Sequence, residues 1–225
     1  GLDRLVVHTG RLEDIAPDGP LGLHAQAGAS LARLASFAQR RSLTGLEFAH
    51  GIPGSLGGGV RMNAGAYGGE MSQVVNQVRV VSKEGESMEL DNDTMEFRYR
   101  GSVIRGSAFT VTEVTFRLEP GDREAIRAKM EELAARRREK QPLEYPSAGS
   151  TFKRPEGHFA GKLIMEAGFA GYRIGGAQVS EKHCGFVINT GDATARDVRA
   201  LIEEIQARVK ERFRVDLEPE IVFLG

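Results

Sequence analysis

Residues 51–69, GIPGSLGGGVRMNAGAYGG, hold eight of the 28 glycines of this 225-residue chain within nineteen positions. Glycine inside a helix or strand costs roughly 0.5–1 kcal/mol relative to alanine, so this composition is not expected in an ordinary element. Exposed N–H groups in such a segment can hold a phosphate or the edge of a flat heterocycle. Ser55, Asn63 and Tyr67 lie among the glycines, and Pro53 stiffens the entry. We therefore predict a ligand-binding segment rather than a set of turns.

The overall composition limits the class of protein. Hydrophobic residues make up 40% and charged residues 27%, as in globular domains with a sizeable core. The formal net charge of −1 gives no basic field, so we expect no nucleic-acid partner. Cys184 is the lone cysteine, which excludes an internal disulfide, and no Cys/His spacing suits a metal. No apolar run approaches the ~18 residues of a membrane span, so we expect a cytoplasmic protein without membrane insertion.

The hydrophobic patterns predict an α+β protein of two domains, with a boundary near residue 120. Ser30 is placed as the N-cap of a helix that runs to about Arg41, and Thr194 with Asp197 resembles a capping box. The strand at 108–118 changes phase, which predicts a β-bulge near Thr112. The other predicted elements are strands at 4–8, 22–28, 76–82, 87–90, 184–190 and 217–224 and helices at 123–140, 160–167 and 194–213.

Few side chains indicate chemistry by residue type and spacing alone. Ser150 lies in a loop rich in glycine and hydroxyl residues, but it has no acid or base partner nearby in sequence. The basic run from Arg136 to Lys140 is either a solvated helix end or a clamp for a diphosphate. Glu220 is predicted on the solvent face of the terminal strand.

A series of short motifs goes further when the motifs are taken together. They are Gly45-Leu-Glu-Phe, Gly51-Ile-Pro-Gly, Met62-Asn-Ala-Gly-Ala-Tyr-Gly-Gly69, Tyr99-Arg100, Lys140-Gln-Pro, Ser147-Ala-Gly-Ser-Thr-Phe-Lys153, Gly175-Gly-Ala-Gln-Val-Ser-Glu-Lys-His183 and Leu217-Glu-Pro-Glu-Ile221. In this order they resemble the UDP-N-acetylenolpyruvoylglucosamine reductases (UDP-N-acetylmuramate dehydrogenases) of bacterial peptidoglycan synthesis. The chain is similar to the shorter subclass, because only forty residues separate Arg100 from Lys140.

The resemblance implies an α+β fold with two parts. Residues 1–120 would form an FAD-binding domain of the vanillyl-alcohol-oxidase type, and residues 121–225 a domain that binds a UDP-sugar. It also implies about eighty further residues before Gly1, with a glycine-rich loop for the flavin pyrophosphate. We therefore expect residues 1–225 alone to bind FAD weakly or substoichiometrically. The implied reaction uses NADPH and FAD to reduce UDP-N-acetylglucosamine enolpyruvate to UDP-N-acetylmuramate.

The resemblance also implies roles for individual residues. Ser150 matches the proton donor, and Arg100 and Glu220 match the other two catalytic positions. The expected substrate contacts are Arg137, Lys140, Lys153, Gln178 and His183. The expected cofactor contacts are Ile52, Pro53, Gly54, Ser55, Gly58, Gly59, Asn63, Gly65 and Tyr99.

Two alternatives belong to other functional classes. One is a flavin oxidase of related fold that acts on a hydroxy acid, which would need neither the Ser150 loop nor a diphosphate clamp. The other is a flavin-free module that binds a UDP-sugar without catalysis. A flavin absorbance spectrum of the purified protein separates the enzymes from the module, and oxygen uptake with a hydroxy acid would identify the oxidase.

Overall fold

The computed structural model describes residues 6–224, which divide into two compact units. The N-terminal unit comprises Val6–Arg137, and the C-terminal unit comprises residues 138–224. Each unit has its own hydrophobic core and combines antiparallel sheet with helices, so the predicted α+β class is confirmed. The strand predicted at 4–8 lies partly outside the described residues, and residues 6–8 form no strand.

The N-terminal unit is built on one antiparallel sheet. Its elements are β1 (Ile15–Asp18), β2 (Gly22–Gln26), α1 (Leu31–Arg40), β3 (Leu43–Thr44), α2 (Leu56–Arg61), β4 (Gly65–Ala66), β5 (Gly69–Glu70), β6 (Val75–Val81), β7 (Ser87–Asp91), β8 (Thr110–Arg117) and β9 (Glu119–Pro120), with short 3₁₀ turns at Glu47–Ala49, Met71–Gln73 and Val103–Gly106. The strand order of the sheet is β1-β2-β8-β6-β7. One face is buried by Leu23, Val78, Val80, Val114 and Phe116.

The predicted bulge in β8 is confirmed. Arg79 pairs with Glu113 while the next residue, Val80, pairs with Val111, so Thr112 is the extra residue. The Thr112 hydroxyl donates to the carbonyl oxygen of Arg79 at 3.2 Å. Because side chains alternate with a period of two, this single insertion returns Val111 and Val114 to the same buried face.

Helix α1 forms as its sequence predicts. The Ser30 side chain accepts a hydrogen bond from the Arg33 N–H at 3.2 Å, and the helix buries a face that repeats every three to four residues. That face consists of Leu31, Leu34, Ala35 and Ala38.

The glycine-rich stretch contains a helix, which its composition did not predict. Residues Leu56–Arg61 form α2, although three of the six are glycine. A Cβ added to Gly57 would lie 3.1 Å from the Cβ of Ala27, and one added to Gly59 would lie 3.2 Å from Leu31 Cδ2. The glycines therefore permit close packing on the strand and on α1, and this packing outweighs their poor helix propensity.

The two units divide at Arg137 rather than near residue 120. Helix α3 (Arg123–Lys140) begins after Asp122, whose Oδ1 accepts from the Ala125 N–H at 2.8 Å. Its buried residues Ile126 and Met130 belong to the core of the N-terminal unit. Most of this helix therefore packs with the first unit, and a boundary drawn where the composition changes falls too early.

The C-terminal unit is a four-stranded sheet with two helices. Its elements are β10 (Ser147–Ser150), α4 (Ala160–Glu166), β11 (Arg173–Ile174), β12 (Ala177–Val179), β13 (Phe186–Asn189) and α5 (Ala195–Phe213), and the strand order is β10-β13-β12-β11. The predicted capping box of α5 is confirmed, since Thr194 Oγ1 accepts from Asp197 N at 3.1 Å and Asp197 Oδ2 accepts from Thr194 N at 2.9 Å. The helix buries Leu201, Ile202, Ile205 and Val209.

The chain after α5, residues 214–224, is called the tail here. It forms no strand, so the terminal strand predicted at 217–224 is wrong. Within the described residues an isolated bridge joins Phe152 to Pro219, and the pairing does not extend into a ladder. Hydrogen bonds from Lys153 N to Glu218 O at 2.9 Å and from Glu220 N to Thr151 O at 2.8 Å attach it to the segment after β10.

Candidate functional site

The start of α2 does not present a free row of N–H groups. The N–H groups of Leu56 and Gly57 donate to the carbonyl oxygens of Ala29 and Ala27, each at 2.8 Å. The Gly58 N–H donates to Ser55 Oγ at 3.4 Å. The expectation of exposed donors at this point is therefore wrong, because the neighbouring chain satisfies them.

A cavity of about 210 Å³ lies beside these glycines in the N-terminal unit. It is lined by small and apolar groups with one guanidinium: Thr9, Ala27, Ser55, Gly57, Gly58, Arg61, Ile104, Phe109, Thr110 and Val111. Gly58 is exposed, and a Cβ added to it would meet only Ser55 Oγ at 3.5 Å. Pockets for drug-sized ligands measure about 300–1,000 Å³, so this cavity would admit only part of such a ligand, beside the exposed backbone of Gly58 and the Arg61 side chain.

Asn63 is buried and shapes the segment that follows α2. Its Oδ1 accepts from the Ser72 N–H at 3.0 Å, and its Nδ2 donates to the Arg98 carbonyl oxygen at 3.3 Å. Its φ of 44° is in the left-handed region, where asparagine is better tolerated than most residues. The side chain is thus engaged within the protein.

Tyr99 and Arg100 lie on a turn of the N-terminal unit. The Tyr99 side chain is 58% exposed, and the Arg100 guanidinium carbon lies 5.4 Å from the centre of its ring. Arg100 has a φ of 55°. A residue other than glycine pays of order 1–3 kcal/mol for such backbone, and such strain is concentrated at functional sites. The Arg105 guanidinium donates to the Arg100 carbonyl oxygen at 2.9 Å and helps to hold the turn.

Arg137 and Lys140 belong to different units. The Arg137 side chain packs on Gly51, where an added Cβ would lie 3.3 Å from Arg137 Cδ. Burial lowers the pKa of Arg137, and the nearby Tyr67 phenol opposes that shift. Lys140 is exposed at the end of α3, in the C-terminal unit. Within the basic run, Lys140 is therefore solvated, whereas Arg137 is half-buried.

Ser150 and Glu220 are carried by adjacent backbone segments of the C-terminal unit. Ser150 is exposed at the end of β10, after Gly149 with its φ of 84°. The next residue, Thr151, is 1% exposed, and its carbonyl oxygen accepts from the Glu220 N–H at 2.8 Å. The structure thus brings together the backbones of two of the three predicted catalytic residues, while Arg100 lies in the N-terminal unit.

Two predicted substrate contacts, Lys153 and Gln178, already have partners inside the C-terminal unit. Lys153 forms an ion pair with Glu218. The Gln178 amide donates to the Gly171 carbonyl oxygen at 3.2 Å. Lys153 is only 16% exposed at its side chain, so the ion pair holds its ammonium group in a fixed position.

His183 is half-buried and is held in one orientation. Its Nδ1 accepts from the Gly185 N–H at 3.0 Å, and its ring lies edge-on to Phe186 with the centroids 5.0 Å apart. Burial lowers the pKa of His183. An accepting Nδ1 assigns the ring proton of the neutral form to Nε2.

Sequence reasoning missed two residues that organise this region. Thr151 Oγ1 accepts from the Val187 N–H at 3.0 Å, and Lys182 Nζ donates to the Arg138 carbonyl oxygen at 2.8 Å at the end of α3. Thr151 lies in the Ser147–Lys153 motif and Lys182 in the Gly175–His183 motif, but their partners are 36 and 44 residues away. No local pattern signals such contacts.

A second cavity, of about 330 Å³, lies in the C-terminal unit. Its lining is mostly aliphatic and comprises Pro146, Ser147, Ala148, Val187, Ile188, Asn189, Val198 and Ile221. It borders β10, α5 and the tail.

The described part of the chain shows neither a membrane-spanning helix nor a metal-binding cluster. No helix within residues 6–224 is long and apolar enough to cross a bilayer. Over the same part of the chain, no group of three or more His, Cys, Asp and Glu side chains is arranged to hold a metal ion.

Comparison with known proteins gives consistent results over both units. The model of an FAD binding domain matches residues 2–91, and that of the UDP-N-acetylenolpyruvoylglucosamine reductase C-terminal domain matches residues 141–224. The UDP-N-acetylenolpyruvoylglucosamine reductase of Lachnoclostridium phytofermentans is 58% identical over 88% of this chain and 64% of its own length. That of Caldanaerobacter subterraneus subsp. tengcongensis is 53% identical over 100% of this chain and 74% of its own.

A solved structure supports the same relationship. The crystal structure of the UDP-N-acetylenolpyruvylglucosamine reductase of Thermus caldophilus matches with a TM-score of 0.78 at 36% identity, over 91% of this chain and 73% of that one. The chain therefore spans about two thirds to three quarters of the length of these relatives.

Proposed function

Because the chain belongs to the UDP-N-acetylenolpyruvoylglucosamine reductase family, we propose that it serves the reduction of UDP-N-acetylglucosamine enolpyruvate to UDP-N-acetylmuramate in peptidoglycan precursor synthesis. The observation that carries the proposal is the 53% identity to a named reductase over the whole chain. The hydroxy-acid oxidase and the flavin-free module are not favoured, since the relatives are named as reductases and a family of FAD-binding domains matches residues 2–91.

FAD fits the residues beside α2. When bound there, FAD would supply hydride-transfer chemistry, with NADPH as the reductant. The expected cofactor contacts differ in how exposed they are. Apart from Asn63 they are Ile52, Pro53, Gly54, Ser55, Gly58, Gly59, Gly65 and Tyr99. Gly54 and Gly58 are exposed and offer bare backbone, whereas Gly59 is buried against Leu31 and acts through packing. Asn63 contributes by holding the following turn, because both its side-chain polar atoms bond within the protein.

The chain's own residues supply the proton. The product carries one hydride and one proton more than the substrate, and the proton goes to a carbon that holds negative charge conjugated with the substrate carboxylate. We assign this proton to the Ser150 hydroxyl. Arg100 would bind the carboxylate, and Glu220 would orient and assist the developing enol. A serine hydroxyl is a weak acid, so it can act only on a strongly basic carbon.

The remaining polar residues are proposed to bind the UDP-sugar. Arg137 and Lys140 supply positive charge for the diphosphate, and Lys153, Gln178 and His183 supply hydrogen-bond donors. In neutral His183 the donor would be Nε2–H, because Nδ1 already accepts from Gly185. The cytoplasmic location predicted from the sequence belongs to the same proposal, since charged nucleotides do not cross a membrane unaided. No nucleic-acid partner is proposed.

The test separates the half-reactions of the flavoprotein. Ser150→Ala should leave reduction of the flavin by NADPH, seen as loss of absorbance near 450 nm, unchanged. Turnover of the enolpyruvyl substrate should fall by roughly 10²–10⁴-fold, the usual contribution of a general acid. Ser147→Ala, in the same strand, is the matched control and should keep turnover. Turnover close to normal in Ser150→Ala would remove this serine from the mechanism.

A further inference from the structure

The tail carries Glu220 between two differently held segments. On its N-terminal side, the Gln206 amide donates to the Leu217 carbonyl oxygen at 2.8 Å, and the Glu218 carbonyl oxygen accepts from Lys153 N at 2.9 Å. Pro219 fixes one backbone angle immediately before Glu220. Residues 217–220 therefore have a defined path.

Beyond Glu220 the tail is held differently. The bond from Glu220 N to Thr151 O is the last backbone–backbone hydrogen bond of the tail within the described residues. Ile221 borders the aliphatic cavity of about 330 Å³, so its packing is incomplete on that side. Val222 and Leu224 are 75% and 76% exposed. Ile221 still packs partly against the core of the C-terminal unit, whereas Val222 and Leu224 give the chain after Glu220 no such support.

Phe223 is the residue after Glu220 that is held by two kinds of contact. It packs against the core of the C-terminal unit, and the guanidinium carbon of Arg199 on α5 lies 4.2 Å from the centre of its ring. That distance is well inside the ~6 Å within which a cation is attracted to an aromatic face. Arg199 is exposed, so its head group remains solvated while it covers the ring.

We propose that Phe223 and Arg199 form a clamp that positions the Glu220 carboxylate for the reaction. The clamp fixes the tail three residues after Glu220, as the Leu217 contact fixes it three residues before. Both are positioning residues, because they act through the tail backbone and do not touch the reacting atoms. The inference rests on the proposed function, in which Glu220 is catalytic.

The test measures coupling between the clamp and Glu220 in the flavoprotein. Phe223→Ala and Arg199→Gln should each lower kcat for the enolpyruvyl substrate, by about 10- to 100-fold for Phe223→Ala, since misplacement near 1 Å can cost that much. KM should change little, and reduction of the flavin by NADPH should be normal. Phe223→Tyr keeps the aromatic face and should restore kcat. Arg212→Gln removes another arginine of α5 that lies over a phenylalanine ring, and it should have no effect.

The decisive comparison is made in a Glu220→Gln background. If the clamp acts only through Glu220, Phe223→Ala should cause no further loss of kcat there, because coupled residues are not additive. An unchanged kcat in the Phe223→Ala single variant would overturn the clamp, and so would an equal loss in both backgrounds. If Glu220→Gln itself had normal turnover, the catalytic role in the proposed function would fail instead, and the clamp would fail with it. Circular dichroism identifies a variant that does not fold, and Arg199→Gln and Phe223→Tyr then decide the outcome.

Discussion

The side-chain oxygen of Asn63 accepts a hydrogen bond from the backbone N–H of Ser72 at 3.0 Å. Together with the bond from Asn63 Nδ2 to the Arg98 carbonyl oxygen, it ties the end of the glycine-rich stretch to two other turns. Asn63, an expected cofactor contact, is 3% exposed, and its side chain stabilises the loop.

Asn63→Ala should destabilise the protein. The substitution leaves the half-buried Ser72 N–H without its acceptor, at a cost of about 1–3 kcal/mol. Alanine at the left-handed φ of 44° adds about 1–2 kcal/mol. Asn63→Gly removes the bonds but tolerates the φ, so it should lose less. Thermal unfolding of the three proteins measures both contributions, and equal melting temperatures for Asn63→Ala and Asn63→Gly would contradict the backbone contribution.

Gly58→Ala should separate stability from cofactor binding. Alanine is about 1 kcal/mol more favourable than glycine inside a helix, and its Cβ would meet only Ser55 Oγ at 3.5 Å. The melting temperature of the flavin-free protein should therefore rise by roughly 2–4 °C. Because the methyl group would occupy the cavity, affinity for FAD should fall, which fluorescence titration with FAD measures.

The matched variant is Gly57→Ala in the same helix. Its Cβ would lie 3.1 Å from Ala27 Cβ and 3.3 Å from the Ala27 carbonyl oxygen, and backbone cannot easily move aside. Gly57→Ala should therefore lower the melting temperature. If Gly58→Ala bound FAD with unchanged affinity, no cofactor would lie against this helix.

His183 should make stability depend on pH below neutrality. Burial lowers the pKa of His183 in the folded state, so the unfolded chain binds the proton more readily. The stabilising contribution is therefore present above the ordinary histidine pKa of about 6.5 and is lost as the pH falls through the folded-state pKa. His183→Asn keeps an acceptor for Gly185 N but does not titrate.

The measurement is the melting temperature between pH 8 and pH 5, a range of roughly three units that brackets the ordinary pKa. The difference in melting temperature between the unaltered protein and His183→Asn should become smaller toward pH 5. His158→Asn, at an exposed position, is the control and should follow the unaltered protein throughout. A constant offset for His183→Asn over the whole range would mean that its proton is not linked to folding.

Arg137→Met should separate packing from charge. Methionine retains an aliphatic stem against Gly51 but removes the guanidinium, so the melting temperature should stay nearly constant. If the guanidinium binds the diphosphate, KM for the UDP-sugar should rise by about 10- to 100-fold with little change in kcat, as expected for uniform binding. Lys140→Ala provides the comparison from the other unit. Steady-state kinetics that show an unchanged KM for Arg137→Met would leave Arg137 as a packing residue.

Local patterns were sufficient where local interactions decide the structure. The Ser30 cap and the capping box of Thr194 and Asp197 are set by residues close in sequence, and the bulge at Thr112 shows in the local change of hydrophobic phase. Local patterns failed where packing between distant segments decides the structure. Helix α2 forms because its glycines allow close packing against Ala27 and Leu31. Intrinsic helix propensities do not include such packing. The tail alternates as a strand does, yet its pairing is limited to the isolated bridge between Phe152 and Pro219.

The same limit applies to the site. The catalytic assignments came from resemblance, since Ser150 had no partner nearby in sequence. The closeness of its backbone to that of Glu220 depends on a bond across 69 positions, from Glu220 N to Thr151 O. The position of Arg137 against Gly51 likewise depends on how α3 packs in the first unit. Spacing along the chain carries no information on such contacts.

The edges of the five-stranded sheet bear on how the protein behaves when it is crowded. Edge strand β1 contains Pro17, which offers no N–H to an incoming strand, and the opposite edge β7 carries Glu89 and the exposed Asp91. An exposed edge without such features can recruit strands from other molecules and begin aggregation. Here proline blocks one edge, and charged side chains discourage pairing at the other. The sheet is therefore protected against edge-to-edge extension when the protein is concentrated.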